Sequence, residues 1–221
     1  MVWITAMAAA GLFTSASAGD KVRGFNFAKG DLGKVPAGWK TTQTNEGADS
    51  SIWRVVADGT APSKTGLALA QTAASPKKVF NLCVAEDTSF QDVEVSVHFK
   101  AIEGEEDQGG GIVWRYQDAK NYYVARMNPL EKNYRVYRVV AGDRIQLQTT
   151  KDDVKVPVGE WHKLTVRQSG DQIECFLDGK KLLEAKDNAI AKAGKVGLWT
   201  KADARTRFDG FTVQAVAGKK D

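Results

Sequence analysis

Short runs of alternating apolar and polar residues dominate the chain after its first eighteen residues. The clearest run is Asp92 to Phe99, in which valine or phenylalanine occupies every second position and polar residues occupy the others. A two-residue period places the apolar side chains on one face of a β-strand and the polar ones on the other. We therefore expect a strand here, with one face in a core and the other in water.

Comparable runs recur along the chain, separated by segments rich in Gly, Asp and Asn, which favour turns. The Asp178-Gly179 pair supplies the positive φ angles of a tight hairpin turn. No run predicts a helix longer than about two turns. This regular spacing of strands and turns is typical of an all-β sandwich or barrel. The further strands we expect are 112–116, 122–127, 133–140, 144–149, 161–168, 172–177, 181–185, 195–200 and 207–216.

The length of 221 residues suits one well-buried domain, which we place at 19–218. Residues 1–18 are uncharged, mostly apolar and end in Ala16-Ser17-Ala18, a pattern typical of a cleavable signal peptide. We therefore expect export to the periplasm or the extracellular space, with no stable membrane insertion after leader removal; an uncleaved anchor is the alternative. Residues 219–221 form a basic tail.

Charge and cysteine content exclude several classes of protein. The formal net charge is +4, from 31 basic and 27 acidic residues that are spread along the chain, so nucleic acid is not an expected partner. Cys83 and Cys175 are the two cysteines, and we interpret them as buried thiols, with a single bridge as the alternative. His98 and His162 lack the spacing of zinc ligands, so no metal site is predicted from them.

Five segments resemble the 3-keto-disaccharide hydrolase family, a group of exported bacterial domains of the concanavalin A-like and laminin-G-like class. They are DQGGGIVWR at 107–115, NYYVARMNPLE at 121–131, GEWH at 159–162, LDGK at 177–180 and GKVGLWTKAD at 194–203. The resemblance implies an all-β fold, a two-sheet antiparallel jelly-roll β-sandwich whose concave face commonly holds saccharide. It does not decide the activity, because this class includes lectins, glycosidases and binding modules.

Polar residues near three predicted strand ends form the candidate saccharide site. Carboxylate, amide and guanidinium groups can bond neighbouring sugar hydroxyls while an aromatic ring covers the apolar face of the sugar. The alternative is that the arginines pair with acids across neighbouring strands. The candidate acid or base residues are Asp107 and Glu131. The candidate binding residues are Gln108, Arg115, Tyr122, Arg126, Asn128, Asn133, Arg135, Trp199, Lys201 and Asp203.

Two other acidic features have simpler interpretations. Asp92 and Glu94 share one strand face at a separation of about 7 Å, which suits an inverting glycosidase. Alternating polar residues on a solvated strand face are ordinary, so we interpret the pair as part of such a face. The acidic loop from Glu103 to Asp107 could hold Ca²⁺, or it could be a solvated loop. The three glycines that follow it indicate a close approach to another backbone or to a ligand. No cofactor is predicted.

Three functions remain open from the sequence. The first is a carbohydrate-binding domain that recognises a saccharide or glycoside. The second is a glycoside hydrolase that acts on 3-keto-glycosides or related disaccharides, so the sequence leaves open whether the chain is an enzyme. The third is a laminin-G-like module that adheres to protein, which would require an exposed apolar patch.

Overall fold

The computed structural model describes residues 21–45 and 52–218, and these fold into fifteen β-strands and one turn of 3₁₀ helix at Lys29–Asp31. In chain order the strands are β1 (Arg23–Phe25), β2 (Trp39–Thr44), β3 (Trp53–Ala57), β4 (Leu67–Gln71), β5 (Phe80–Phe90), β6 (Val93–Glu103), β7 (Gly110–Asp118), β8 (Asn121–Asn128), β9 (Asn133–Val140), β10 (Asp143–Thr149), β11 (His162–Ser169), β12 (Gln172–Leu177), β13 (Lys180–Lys186), β14 (Gly194–Lys201) and β15 (Arg205–Ala215). The predicted leader 1–18 and basic tail 219–221 lie outside the described residues.

The strands form two antiparallel sheets, and the predicted all-β sandwich is confirmed. The first sheet, sheet A, has the order β13-β12-β11-β6-β15-β4-β3, with β1 also paired to β15. The second, sheet B, has the order β10-β9-β8-β7-β14-β5-β2. No helix in the described part of the chain is long and apolar enough to cross a membrane.

The core between the sheets follows the alternation seen in the sequence. Val93, Val95, Val97 and Phe99 of β6 are fully buried and belong to one large cluster with the inward residues of sheet B. Cys83 and Cys175 enter this core from opposite sheets as free, fully buried thiols. Burial raises the pKa of both thiols, because a thiolate would lose its hydration there.

Sheet B is curved so strongly that it encloses a second apolar cluster on the face turned away from that core. This cluster alternates along the strands with the first, so Tyr122 and Val124 belong to it, whereas Tyr123 and Ala125 belong to the core between the sheets. In a flat sheet, β10 and β5 would be about 24 Å apart, at about 4.8 Å for each strand spacing. Yet the Arg144 guanidinium carbon of β10 lies 5.1 Å from the Phe80 ring centre of β5.

The glycines before and within β7 allow close packing against β8. A Cβ atom on Gly111 would lie 2.0 Å from the Ala125 carbonyl oxygen, and one on Gly109 would lie 2.4 Å from that of Met127. Gly109 also has a φ of +79°, which an L side chain rarely adopts. Of the two approaches expected from the sequence, the structure shows the approach of one backbone to another.

On the outer side of sheet A, the buried carboxylate of Asp58 holds the loop that follows β3. It pairs with Lys100 at 2.5 Å and with Arg207 at 2.8 Å, and it accepts hydrogen bonds from the Thr60 backbone and hydroxyl. Burial alone would raise the pKa of Asp58, but these hydrogen bonds outweigh it and hold the pKa well below its usual range. Asp58 is therefore a charged structural group.

Candidate functional site

Seven of the predicted site residues meet at one end of sheet B. They come from the loop before β7, the end of β8, the turn into β9, the start of β9 and the end of β14, and β9, β8, β7 and β14 are consecutive strands in the sheet. Hydrogen bonds and ion pairs link all seven into one network. We call this group the rim cluster: Asp107, Arg126, Asn128, Glu131, Asn133, Arg135 and Lys201.

Asp107 is the buried acceptor of the rim cluster. Its side chain is 2% exposed and receives a hydrogen bond from Asn128 Nδ2 at 2.9 Å and one from Lys201 Nζ at 2.8 Å. The Gln108 backbone N–H donates a third at 3.1 Å. All three donors point at the Asp107 carboxylate, and the contact with Lys201 is also an ion pair.

Glu131 is the more accessible carboxylate, with 36% of its side chain exposed. One of its oxygens accepts from Arg126 at 2.9 Å, from Arg135 at 3.0 Å and from Asn133 at 3.2 Å. Burial would raise the pKa of Glu131, but the charge and hydrogen bond of Arg126, with help from Asn133 and Arg135, lower it. Glu131 is therefore a carboxylate at neutral pH, suited to accept a proton or a hydroxyl hydrogen bond rather than to act as an acid.

Asn128 joins the two carboxylates. Its fully buried side chain donates to Asp107 through Nδ2 and accepts the Glu131 backbone N–H through Oδ1 at 3.1 Å. The two acids thus lie in one connected network, with Lys201 at one end and Arg126 and Arg135 at the other. This arrangement combines features of both alternatives, since the arginines do pair with an acid and the pairing also presents a partly exposed carboxylate.

Asp203 and Gln108 shape the acidic loop beside the rim cluster. The Asp203 carboxylate accepts backbone N–H groups from three successive residues, Glu105 to Asp107, at 2.7 to 3.2 Å. Burial alone would raise the pKa of Asp203, but these hydrogen bonds lower it. Gln108 Nε2 donates to the Gly104 carbonyl oxygen at 3.4 Å. Both side chains therefore order the loop that carries Asp107.

Three of the four carboxylates of the acidic loop form ion pairs, and that of Asp107 pairs with Lys201. Glu106 pairs with Lys77 at 2.5 Å, and Glu103 pairs with Arg205 at 2.7 Å. Within residues 21–45 and 52–218, no group of three or more His, Cys, Asp or Glu side chains is arranged to hold a metal ion. Calcium in this loop stays a prediction from the sequence.

Arg115 lies at the other end of sheet B, away from the rim cluster. Its neighbour in sequence, Tyr116, pairs in register with Lys195 of β14, six residues before Lys201, which corresponds to about 20 Å along a strand. Arg115 has a φ of +44° and belongs to an irregular stretch of β7. This irregularity turns its side chain away from the face that the regular alternation of a strand would give it. The buried guanidinium closes loop ends by donating to Asp92 and to the carbonyl oxygens of Gln91, Gly170 and Ile190.

Tyr122 and Trp199 lie inside the apolar cluster enclosed by sheet B. The Tyr122 hydroxyl is 2.8 Å from Thr44 Oγ1 of β2, and the Trp199 ring packs 5.4 Å from the Phe80 ring. Both residues are at most 1% exposed. The structure therefore gives them packing roles next to the rim cluster, and neither ring offers an open face to a sugar.

The other carboxylate pair considered from the sequence separates into two structural contacts. Asp92 accepts the Gly170 backbone N–H at 2.7 Å and also meets Arg115, whereas Glu94 accepts from Gln214 Nε2 at 2.9 Å. Both sit on sheet A or its edge, on a different sheet from the rim cluster. The simpler interpretation of this pair, as part of a polar strand face, agrees with the structure.

Sequence reasoning missed Tyr137 and Arg144, which adjoin the rim cluster. The Tyr137 hydroxyl and the Arg144 NH1 group are buried, and neither has a hydrogen-bond partner among the described residues. The Arg126 Nε group is buried and unpaired in the same way. A signal existed for Tyr137, since it follows Arg135 by two residues on a regular strand and must share its face.

Comparisons with known proteins agree with this architecture. The 3-keto-alpha-glucoside-1,2-lyase-like domain family matches residues 24–214, so the resemblance seen in the sequence is confirmed. Among curated proteins, none matches this chain. Solved structures with the same fold include the carbohydrate-binding module CBM66 from Bacillus subtilis, at 21% identity and a TM-score of 0.62 over 80% of this chain and 96% of that one.

Two further structures share the sandwich. Domain 4 of AbnA, a GH43 extracellular arabinanase from Geobacillus stearothermophilus solved with arabinotriose, has 13% identity and a TM-score of 0.56 over 91% of this chain and 95% of that one. The exoplasmic/lumenal domain of VIP36 in its Ca²⁺/Man-bound form has 13% identity and a TM-score of 0.58 over 90% and 92%. At these identities the likeness establishes the fold alone. The family match over most of its length shows that this chain belongs to the 3-keto-alpha-glucoside-1,2-lyase-like domain family.

Proposed function

We propose that this chain is an exported domain that binds a saccharide or glycoside at the rim cluster. The observation that carries the proposal is the partly exposed pair of Glu131 and Arg135, held at 3.0 Å on a buried polar base. A carboxylate and a guanidinium side by side can accept from and donate to two neighbouring sugar hydroxyls. The buried partners below them, Arg126 and Asn133, fix the carboxylate in place before any ligand arrives.

The sandwich neighbours support a sugar ligand, since CBM66 is a carbohydrate-binding module and the AbnA domain was solved with arabinotriose. Leu130, in the turn between β8 and β9, is one of the large exposed apolar residues in the described part of the chain. The others there are Val22, Leu32, Val35, Ile52, Val140, Ile145 and Val158. The rim cluster itself is polar and charged. The proposal of a small polar ligand therefore fits this end of the sheet better than adhesion to an apolar protein surface.

Titration calorimetry of the full chain against a panel of disaccharides and their 3-keto derivatives tests the binding proposal. Glu131→Gln should weaken binding about tenfold, because it removes a charge-assisted acceptor. Glu103→Gln is the matched control, since Glu103 is an exposed acid in an ion pair of the neighbouring loop, and it should bind as the parent does. The absence of binding by the parent chain to every sugar of the panel would overturn the proposal.

A second candidate function is elimination from a 3-keto-glycoside, and the family match together with the ionised Glu131 favours it. In this reaction the C3 carbonyl acidifies the C2 proton, which Glu131 removes. The electron pair left at C2 forms a C1=C2 double bond as the C1–O bond breaks, and the departing oxygen takes a proton from water. Lys201, 14% exposed, would donate a hydrogen bond to the C3 carbonyl oxygen.

Proton NMR of 3-keto-trehalose incubated with the chain tests this second function. Elimination produces a vinylic C1 proton signal, whereas hydrolysis produces the free 3-keto sugar without one. Glu131→Gln should abolish the vinylic product and Glu103→Gln should leave its rate unchanged. If the parent chain binds the sugar but leaves it unaltered, the elimination is refuted and the binding function stands.

A further inference from the structure

Arg144 lies between the enclosed aromatic cluster and the rim cluster. Its guanidinium carbon is 4.4 Å from the Tyr137 ring centre, 5.1 Å from that of Phe80 and 5.8 Å from that of Trp199. It pairs in register with Val139, a member of the enclosed cluster, so its side chain points to the same face. Among the described residues, no carboxylate forms an ion pair with it.

Burial next to other cations makes this position costly for a positive charge. Burial is the main cause that lowers the pKa of Arg144, and the nearby charge of Arg126 lowers it further, against the opposing effects of Tyr137, Asp107 and Glu131. Charge counting leads to the same conclusion. Arg126, Arg135, Arg144 and Lys201 supply four positive charges, whereas Asp107 and Glu131 supply two negative charges, and each of these acids already has its partners.

We infer that the saccharide bound at the rim cluster carries an anionic substituent, and that Arg144 receives it. This inference rests on the proposed function and specifies its ligand class. A planar guanidinium with an unused N–H group is suited to grip a carboxylate or sulfate with two parallel hydrogen bonds. The three aromatic rings within 6 Å hold the guanidinium in place and exclude water where they contact it, which strengthens the interaction. A neutral sugar would leave the surplus charge unmatched.

Calorimetric titration of the full chain with three related probes tests the inference: trehalose, trehalose with one C6 oxidised to a carboxylate, and trehalose 6-sulfate. We expect both anionic probes to bind at least about tenfold more tightly than trehalose at low salt. The difference should shrink as salt is raised, since ions screen a partly exposed charge pair. The probe that binds more tightly of the two shows whether the site prefers a carboxylate or a sulfate.

Arg144→Gln should remove the preference for the anionic probes while changing the affinity for trehalose less than about twofold. Arg167→Gln is the matched control, because it removes the same charge from an exposed position on sheet A, and it should keep the preference. Arg144→Lys keeps the charge but loses the planar fork, so it should retain part of the preference and serves if the glutamine variant does not fold.

The outcomes separate the two proposals. Equal binding of all three probes by the parent chain overturns the inference and leaves saccharide binding intact. A preference for the anionic probes that survives in Arg144→Gln also overturns it, and so does a preference that is undiminished in Arg144→Lys. If the parent chain binds none of the three probes, the inference is overturned and the proposed saccharide binding loses support as well.

Discussion

Replacing Asp107 with alanine should destabilise the fold, because three donors lose one buried acceptor. Lys201 loses its ion pair, and the fully buried Asn128 side chain loses the oxygen that its amide donates to. The Gln108 backbone N–H loses its contact as well. The lost hydrogen bonds therefore add to the cost of the cavity that the alanine side chain leaves.

The magnitude follows from these contacts. A hydrogen bond to a charged group contributes about 1.5–3 kcal/mol, and a buried donor left unpaired costs about 1–3 kcal/mol. Lys201 is 14% exposed and can turn its ammonium toward water, so the ion pair counts at the lower end of its range. We expect a loss of about 3 kcal/mol, the lower end of what removal of one partner from a buried pair costs.

Urea denaturation at pH 7 measures this loss, and a double-mutant cycle with Lys201→Met isolates the ion pair. The combined variant should be more stable than the two single losses predict, by about 1–2 kcal/mol, because neither charge is then left alone. Lys77→Met is the control, since it breaks the exposed pair with Glu106 of the acidic loop and should leave the free energy of unfolding almost unchanged. A loss below 1 kcal/mol for Asp107→Ala, or strict additivity in the cycle, would refute this reasoning.

Three further predictions concern the scaffold. Gly111→Ala should cost about 2 kcal/mol or more in urea denaturation, since its Cβ would overlap a carbonyl oxygen, whereas Gly24→Ala meets nothing within 4 Å and should cost less than about 0.5 kcal/mol. The lowered pKa of Asp58 stabilises the fold above about pH 4, which is the pKa of an aspartate in the unfolded chain, and this contribution is lost as the pH falls toward the folded pKa. Asp58→Asn should therefore make the free energy of unfolding depend less on pH below about pH 4. An unchanged pH dependence in this variant would contradict the role of Asp58 as a charged structural group. A thiol reagent should label neither Cys83 nor Cys175 in the native chain and both in denaturant, whereas a bridge would block both in either state.

The sequence predicts the strands well because their pattern is local. From Val93 to Phe99, the apolar character of every second residue predicts that it is buried, and the structure shows that it is. The hairpin turn at Asp178-Gly179 depends on the two residues that form it. The same alternation identifies one buried face for each strand. It cannot show that the strands of sheet B are buried on both faces. The second buried face depends on contacts such as that between Arg144 and Phe80, which are far apart in the chain.

The site could be predicted in part for the same reason. Asp107, Glu131 and Lys201 lie near three predicted strand ends, and grouping them as one polar candidate site predicts that they meet. Arg115 carries no local sign that an irregular stretch of β7 turns its side chain to another region. Arg144 is an ordinary polar residue of an edge strand in the sequence, and only the curvature of sheet B brings it over three aromatic rings.

The central claim is that the rim cluster holds the sugar, and NMR mapping of the ¹⁵N-labelled full chain during titration with 3-keto-trehalose tests it most directly. The account predicts that shift changes concentrate on the backbone amides of Asp107, Asn128, Glu131, Arg135 and Lys201, with little change around Asp58 on the outer side of sheet A. Shift changes centred on Asp58 or on the Arg115 end of sheet B, with the rim cluster unaffected, would contradict it.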